Sequence, residues 1–85
     1  MKIKLLLCAL ALSTVSFASA ADKKIVLIAG KPSHPIGMHE FRAGCLLLQK
    51  CLANTPGISV IVHSNGWPAD ANALDGADAV VIYAD

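Results

Sequence analysis

The chain lacks the motifs that announce the commoner chemistries, and each absence removes a class of function. Neither Gly-x-Gly-x-x-Gly nor a Walker loop occurs, and Pro32 and Pro35 remove two backbone donors from the loop best placed to hold phosphate. A nucleotide or flavin site is therefore not expected. No Gly-x-Ser-x-Gly or Gly-x-Cys-x-Gly elbow presents a nucleophile. His-Glu-x-x-His is missing too, so no zinc site is assigned. Charge is scarce: seven Lys and Arg stand against six Asp and Glu, with no basic stripe. That balance argues against a nucleic-acid partner. Repeats, charge blocks and low-complexity tracts are absent after the first twenty residues.

Those twenty residues have their own logic. Lys2 and Lys4 precede an apolar run from Leu5 to Leu12, and Ala18-Ser19-Ala20 supplies small residues at a cleavage site. The run is shorter than the roughly 20 apolar residues needed to span a bilayer. Cys8 lies inside the run and not after it, so lipid attachment is not expected. Residues 1–20 read as a signal peptide, which implies a periplasmic or secreted protein with no membrane association after cleavage. Beyond it lie 65 of the 85 residues, near the lower limit for a self-sufficient core. Export permits disulfides, but Cys45 and Cys51 are six apart in one helical segment. Their separation is about 9 Å along the axis, beyond disulfide reach. Both are expected to be buried as small hydrophobes.

Residues 24–29 form a run rich in β-branched residues ending at Gly30, as a strand buried on both faces would. Lys31 to Gly37 carries two prolines and a glycine and is a loop. From Met38 to Asn54 the period becomes helical. Phe41, Cys45, Leu48 and Leu52 share one face with Gly44 and Cys51, while Arg42, Gln49 and Lys50 point away. Residues 58–64 form a second strand, interrupted by the polar Ser59 and His63. Asn65 to Pro68 is a turn, Asp70 to Leu74 a helical turn, and residues 78–84 a third strand, apolar after Asp78. Strand, helix, strand, short helix, strand predicts an α/β fold with a parallel sheet and right-handed crossovers. Strands one and three read as central and strand two as an edge, giving a flavodoxin-like start of order 2-1-3. A central third strand needs a further neighbour, so the sheet reads as incomplete and the chain as the N-terminal part of a larger domain.

In such sheets ligands gather beyond the carboxyl ends of the strands. Lys31, Ser33 and His34 lie there, followed by His39 and Glu40 at the start of the helix, with Asp85 closing the third strand. Two imidazoles and a carboxylate within seven residues suit either ligation of a divalent metal or acid–base work. His34, His39, Glu40 and Asp85 are therefore the candidate catalytic residues. The plainer alternatives are that Glu40 answers the helix dipole, that His39 covers an exposed turn, and that His34 is an ordinary loop residue. His63 reads as structural. Trp67 either stacks on a sugar ring or covers the sheet end, and the second reading is preferred because no acid–base pair adjoins it.

Four segments in this order carry a resemblance: KIVLIAGKPSH (Lys24 to His34), GMHEF (Gly37 to Phe41), NGWP (Asn65 to Pro68) and LDGADAVVIYAD (Leu74 to Asp85). Together they resemble the opening of a ThuA-like (trehalose utilisation) domain, with residues 21–85 as its N-terminal part. The resemblance implies a class I glutamine amidotransferase-like α/β fold and an association with carbohydrate utilisation. It places the family's His-Glu pair at His39 and Glu40, its upstream loop histidine at His34 and its strand-end aspartate at Asp85. A glycine- and histidine-rich loop would follow Asp85. The family generally lacks the amidotransferase nucleophile, so glutaminase chemistry is not implied. The expected function is binding or processing of a carbohydrate-derived small molecule. The alternatives are a non-catalytic binding module of an exported protein and a metal-dependent hydrolase using His34, His39 and Asp85. No cofactor is indicated.

Overall fold

A computed structural model describes residues 22–85; the expected signal peptide lies outside them. The element order is β1 (Lys23–Ala29), α1 (Phe41–Leu52), β2 (Ile58–His63) and β3 (Ala79–Tyr83). The three strands form one parallel sheet of order β2-β1-β3, the arrangement and direction anticipated from strand character. Lys23 to Ile28 register with Ile58 to His63, and Ile25 to Ala29 register with Ala79 to Tyr83. Among the described residues no helix is long and apolar enough to cross a membrane.

β1 explains itself. Between two strands, with cover on both faces, every side chain in its second half must be apolar, and Val26, Leu27, Ile28 and Ala29 are at most 2% exposed. The alternation of the strand divides them. Leu27 and Ala29 join Phe41 and Cys45 of α1 in one cluster, flanked by Ile25, Val60 and Val62. Val26 and Ile28 point to the other face. The path from β2 to β3 must cross β1, and a right-handed crossover carries it over that second face. Pro68, Ala73, Leu74 and Ala77 of this path are half-buried. Two backbone bonds tie its ends to β1: the Gly66 N–H donates to the Ala29 carbonyl at 2.9 Å, and the Asp78 N–H to the Lys24 carbonyl at 2.8 Å. Asp78 also accepts the Lys24 N–H at 2.8 Å through its carboxylate, setting where β3 begins.

Several expectations are corrected. α1 starts at Phe41 and not at Met38, because Pro35 to Gly37 forms a separate turn in which the Met38 N–H donates to the Pro35 carbonyl. Its buried stripe is narrower than the period suggested: Phe41 and Cys45 are buried, Leu52 is half-buried, and Leu48 is 38% exposed. A three-stranded sheet offers too little width to cover the whole stripe. Gln49, expected to face away, is half-buried and donates to the Val60 carbonyl at 3.1 Å. The segment after Asp70 is a run of successive turns and no helix, with i to i+3 bonds from Ala73 to Asp70, Asp75 to Asn72 and Ala77 to Leu74. Trp67 is 67% exposed and does not cover the sheet end. β3 needs no such correction: it borders only β1 and all five of its residues are exposed, as expected of a third strand lacking its further neighbour. An apolar run records what a strand can bury; cover depends on neighbours that its own residues do not encode.

The cysteines also part company. Cys45 is buried and Cys51 exposed, both as free thiols, because one faces the sheet and the other lies toward the far rim of the helix. Burial pushes the Cys45 thiol up from its usual pKa, by disfavouring the thiolate. Under native conditions iodoacetamide is expected to label Cys51, leaving Cys45 unlabelled until denaturant is added, as peptide mass mapping would show. Equal labelling of both would contradict the packing of α1. Since the folded-state pKa is the higher one, the thiol's contribution to stability is whole below the ordinary thiol pKa and falls away as pH rises past it.

Candidate functional site

Three carboxyl-end segments meet at one edge of the sheet: the loop from β1 to α1, Ser64 and Asn65 after β2, and Asp85 after β3. They are held close because Gly30 leaves no space between β1 and the chain after β3. A Cβ at Gly30 would lie 2.7 Å from the Ala84 Cβ and 3.0 Å from its Cα, and the Gly30 N–H donates to the Tyr83 carbonyl at 2.9 Å. Phe41 supports the arrangement from the helix side, with its ring edge-on to Tyr83 at 4.9 Å. Between the loop, the helix start and the β2 turn lies a cleft of about 290 Å³. His34, His39 and Glu40 line it, together with Pro32, Ile36, Met38, Phe41, Arg42, Ser64 and Asn65.

His34 is the best-defined group. Its Nδ1 lies 3.1 Å from Asp85 Oδ2 and 2.8 Å from Ser33 Oγ. Ser33 Oγ also lies 2.8 Å from both carboxylate oxygens of Asp85, 52 residues away in the chain. The single hydroxyl hydrogen goes to the carboxylate, which can only accept. Nδ1 then has to carry the imidazole proton, since an unprotonated Nδ1 would turn its lone pair toward an anion. In neutral His34 this leaves Nε2 as a hydrogen-bond acceptor, the state a general base requires. Asp85 does not line the cleft; it touches His34 and Ser33 behind it. With side chains 31% and 46% exposed, the pair is screened and contributes orientation more than stability.

The His39 ring stacks on His34 with centroids 4.2 Å apart and planes tilted by 36°. Its backbone has φ of +50°, a region that costs a non-glycine residue energy and that clusters at functional sites. Glu40 is placed differently from expectation. It occupies the N-cap of α1 and not its first turn, and its side chain does not cap the helix. Instead Oε1 accepts the Gly37 N–H at 2.7 Å, clasping the loop shut. The four predicted residues thus separate into a coupled trio, His34, His39 and Asp85, and a loop clasp, Glu40, on the cleft wall.

Ser33, Arg42 and Asn65 were not among the predicted site residues. Ser33 could have been suspected from its place beside His34 beyond a strand end. Helical phase points Arg42 to solvent, but the first turn of a helix opens on its preceding loop, and Arg42 lines the cleft. Asn65 read only as a turn residue. His63 is half-buried in β2, outside the cleft lining. Among the described residues no group of three or more His, Cys, Asp or Glu side chains is placed to hold a metal ion. Neither a family model, nor a curated protein, nor a solved structure matches this chain.

Proposed function

We propose that this chain is part of an exported α/β domain that binds or processes a carbohydrate-derived small molecule in the cleft beside His34, His39 and Glu40. The observation that carries the reading is the His34–Ser33–Asp85 cluster. It joins two segments 52 residues apart and presents one imidazole nitrogen in acceptor form next to a second, stacked imidazole. Sugars offer hydroxyl groups that such an acceptor can bind or deprotonate. The ThuA-like resemblance of the four segments quoted above supplies the ligand class, and with it a flavodoxin-like, class I glutamine amidotransferase-like assignment of the sheet. The leader-like residues 1–20 support a periplasmic or secreted location. His34 acts as acid–base group, His39 as its stacked partner, Glu40 as polar wall and loop clasp, and Asp85 as the group that orients His34.

Calorimetric titration of the full chain with glucose, maltose, cellobiose and oxidised sugars tests this. Wild type is expected to bind at least one, and His39→Asn combined with Glu40→Gln to bind it on the order of tenfold more weakly. Asparagine tolerates the left-handed backbone at position 39, and glutamine can still accept the Gly37 N–H, so the pair removes chemistry and keeps the loop. Unchanged affinity in this variant would reject the site assignment. A second reading, a binding module without turnover, is favoured by the engagement of Glu40 with Gly37, which ties one of the cleft's acids to structure. Turnover of the bound sugar, lost in His34→Gln, would exclude it.

A further inference from the structure

We infer that Trp67 is a stacking platform for a sugar ring at the rim of the cleft, a position that extends the ligand beyond the histidine pair. The inference rests on the carbohydrate reading above. Trp67 is the single tryptophan of the chain and is 67% exposed, so its indole face is not spent on the core. Nor does it project from a loose loop. Asn65 and Gly66 both have positive φ, +66° and +98°, and a Cβ at Gly66 would crowd Lys31 Cγ at 3.3 Å. The Gly66 N–H is bonded to the Ala29 carbonyl at the end of the central strand, and Pro68 restricts the backbone on the other side.

This turn therefore holds the backbone at Trp67 in place, and ligand binding need not order the segment that carries the indole. Ser64 and Asn65, just before it in the chain, line the cleft, so the turn that forms one wall of the cleft also carries Trp67. Ile36, 99% exposed, and Met38, 52% exposed, give the loop side of the cleft an apolar surface as well. A sugar ring has one face dominated by C–H groups and a rim of hydroxyls. The indole complements both, through its π face and its Nε1–H donor. The ligand class is thus a sugar with one ring against the histidines and an apolar ring face over Trp67.

Because the chain has one tryptophan, its emission reports on this position alone. Emission and calorimetry are to be recorded together while the full chain is titrated with glucose, maltose, cellobiose and glucuronate, with adenosine as a planar non-sugar control. The expected result is a saturable blue shift that tracks the heat of binding for at least one sugar. Trp67→Ala should bind that sugar about tenfold more weakly, with Trp67→Phe between the two. The indole is exposed, so both variants should keep the wild-type circular dichroism spectrum. Heat of binding with unmoved emission, or full affinity in Trp67→Ala, would overturn the stacking role and leave the cleft assignment standing. A shift with adenosine and with no sugar would overturn the sugar assignment of the platform. No heat and no shift with any sugar would overturn the platform and the carbohydrate reading together.

Discussion

Leu27→Ala is expected to remove about 2–5 kcal/mol of stability, enough to unfold much of the chain. Leu27 has no exposed surface. It lies in the middle of the central strand, paired to Val62 on one side and Val81 on the other, and faces Phe41 and Cys45 across the sheet–helix interface. Shortening it opens a cavity that a rigid three-stranded sheet cannot close by shifting one strand. The chain has little reserve, since a domain of this size holds roughly 0.05–0.15 kcal/mol per residue. Urea titration followed by far-ultraviolet circular dichroism is the suitable measurement, because the exposed Trp67 gives a weak folding signal. The midpoint should fall steeply. Leu47→Ala, on the same chain but 63% exposed in α1, should stay within about 0.5 kcal/mol of wild type. Similar losses at both positions would contradict the burial assigned to β1.

Asp85→Ala is expected to release His34 without unfolding the sheet. In wild type the neutral imidazole carries its proton on Nδ1, held by Ser33 Oγ at 2.8 Å and Asp85 Oδ2 at 3.1 Å. Removing the carboxylate withdraws the anion that favours this tautomer and leaves the Ser33 hydroxyl free to donate to Nδ1 instead. Nitrogen-15 imidazole spectra should show Nε2 unprotonated in neutral wild-type His34, with the Nε2–H form gaining population in Asp85→Ala. A predominant Nε2–H form in wild type would contradict the orientation derived from the cluster. This readout needs no ligand and would not move if Asp85 were merely structural. Where a sugar binds, the same variant should lose on the order of tenfold in affinity or rate, the usual worth of a charge-assisted hydrogen bond. Ser33→Ala, which keeps the carboxylate beside Nδ1, should lose less.

The elements were legible because their signals are local. An apolar run from Ile25 to Ala29, rich in β-branched residues, a helical period through Phe41 and Cys45, and the breaker Asn54 to Gly57 each report a backbone preference that neighbours in sequence decide. The 2-1-3 order was also accessible, since Ser59 and His63 mark β2 as the strand with a poorly covered side. The candidate site was legible only as a location. Strand-end chemistry pointed to His34, His39, Glu40 and Asp85, but not to which of them cooperate. The Asp85 contact depends on parallel pairing of β1 with β3, which brings two chain segments together across 52 positions. The Glu40 clasp depends on a turn at Pro35 to Met38 that displaces the helix start.

The sequence by itself determined the alternation of strands and helix, the parallel order of the sheet and the edge at which polar residues gather, because periodicity, proline and glycine act over a few residues. Tertiary structure alone decided that Cys45 is buried and Cys51 is not, that β3 shows an exposed apolar face, that Gly30 must be glycine to let Ala84 approach, and that Asp85 lies against Nδ1 of His34. Each of these is a matter of what lies within a few ångströms through space. Distance through space is set by how the sheet assembles and not by spacing along the chain.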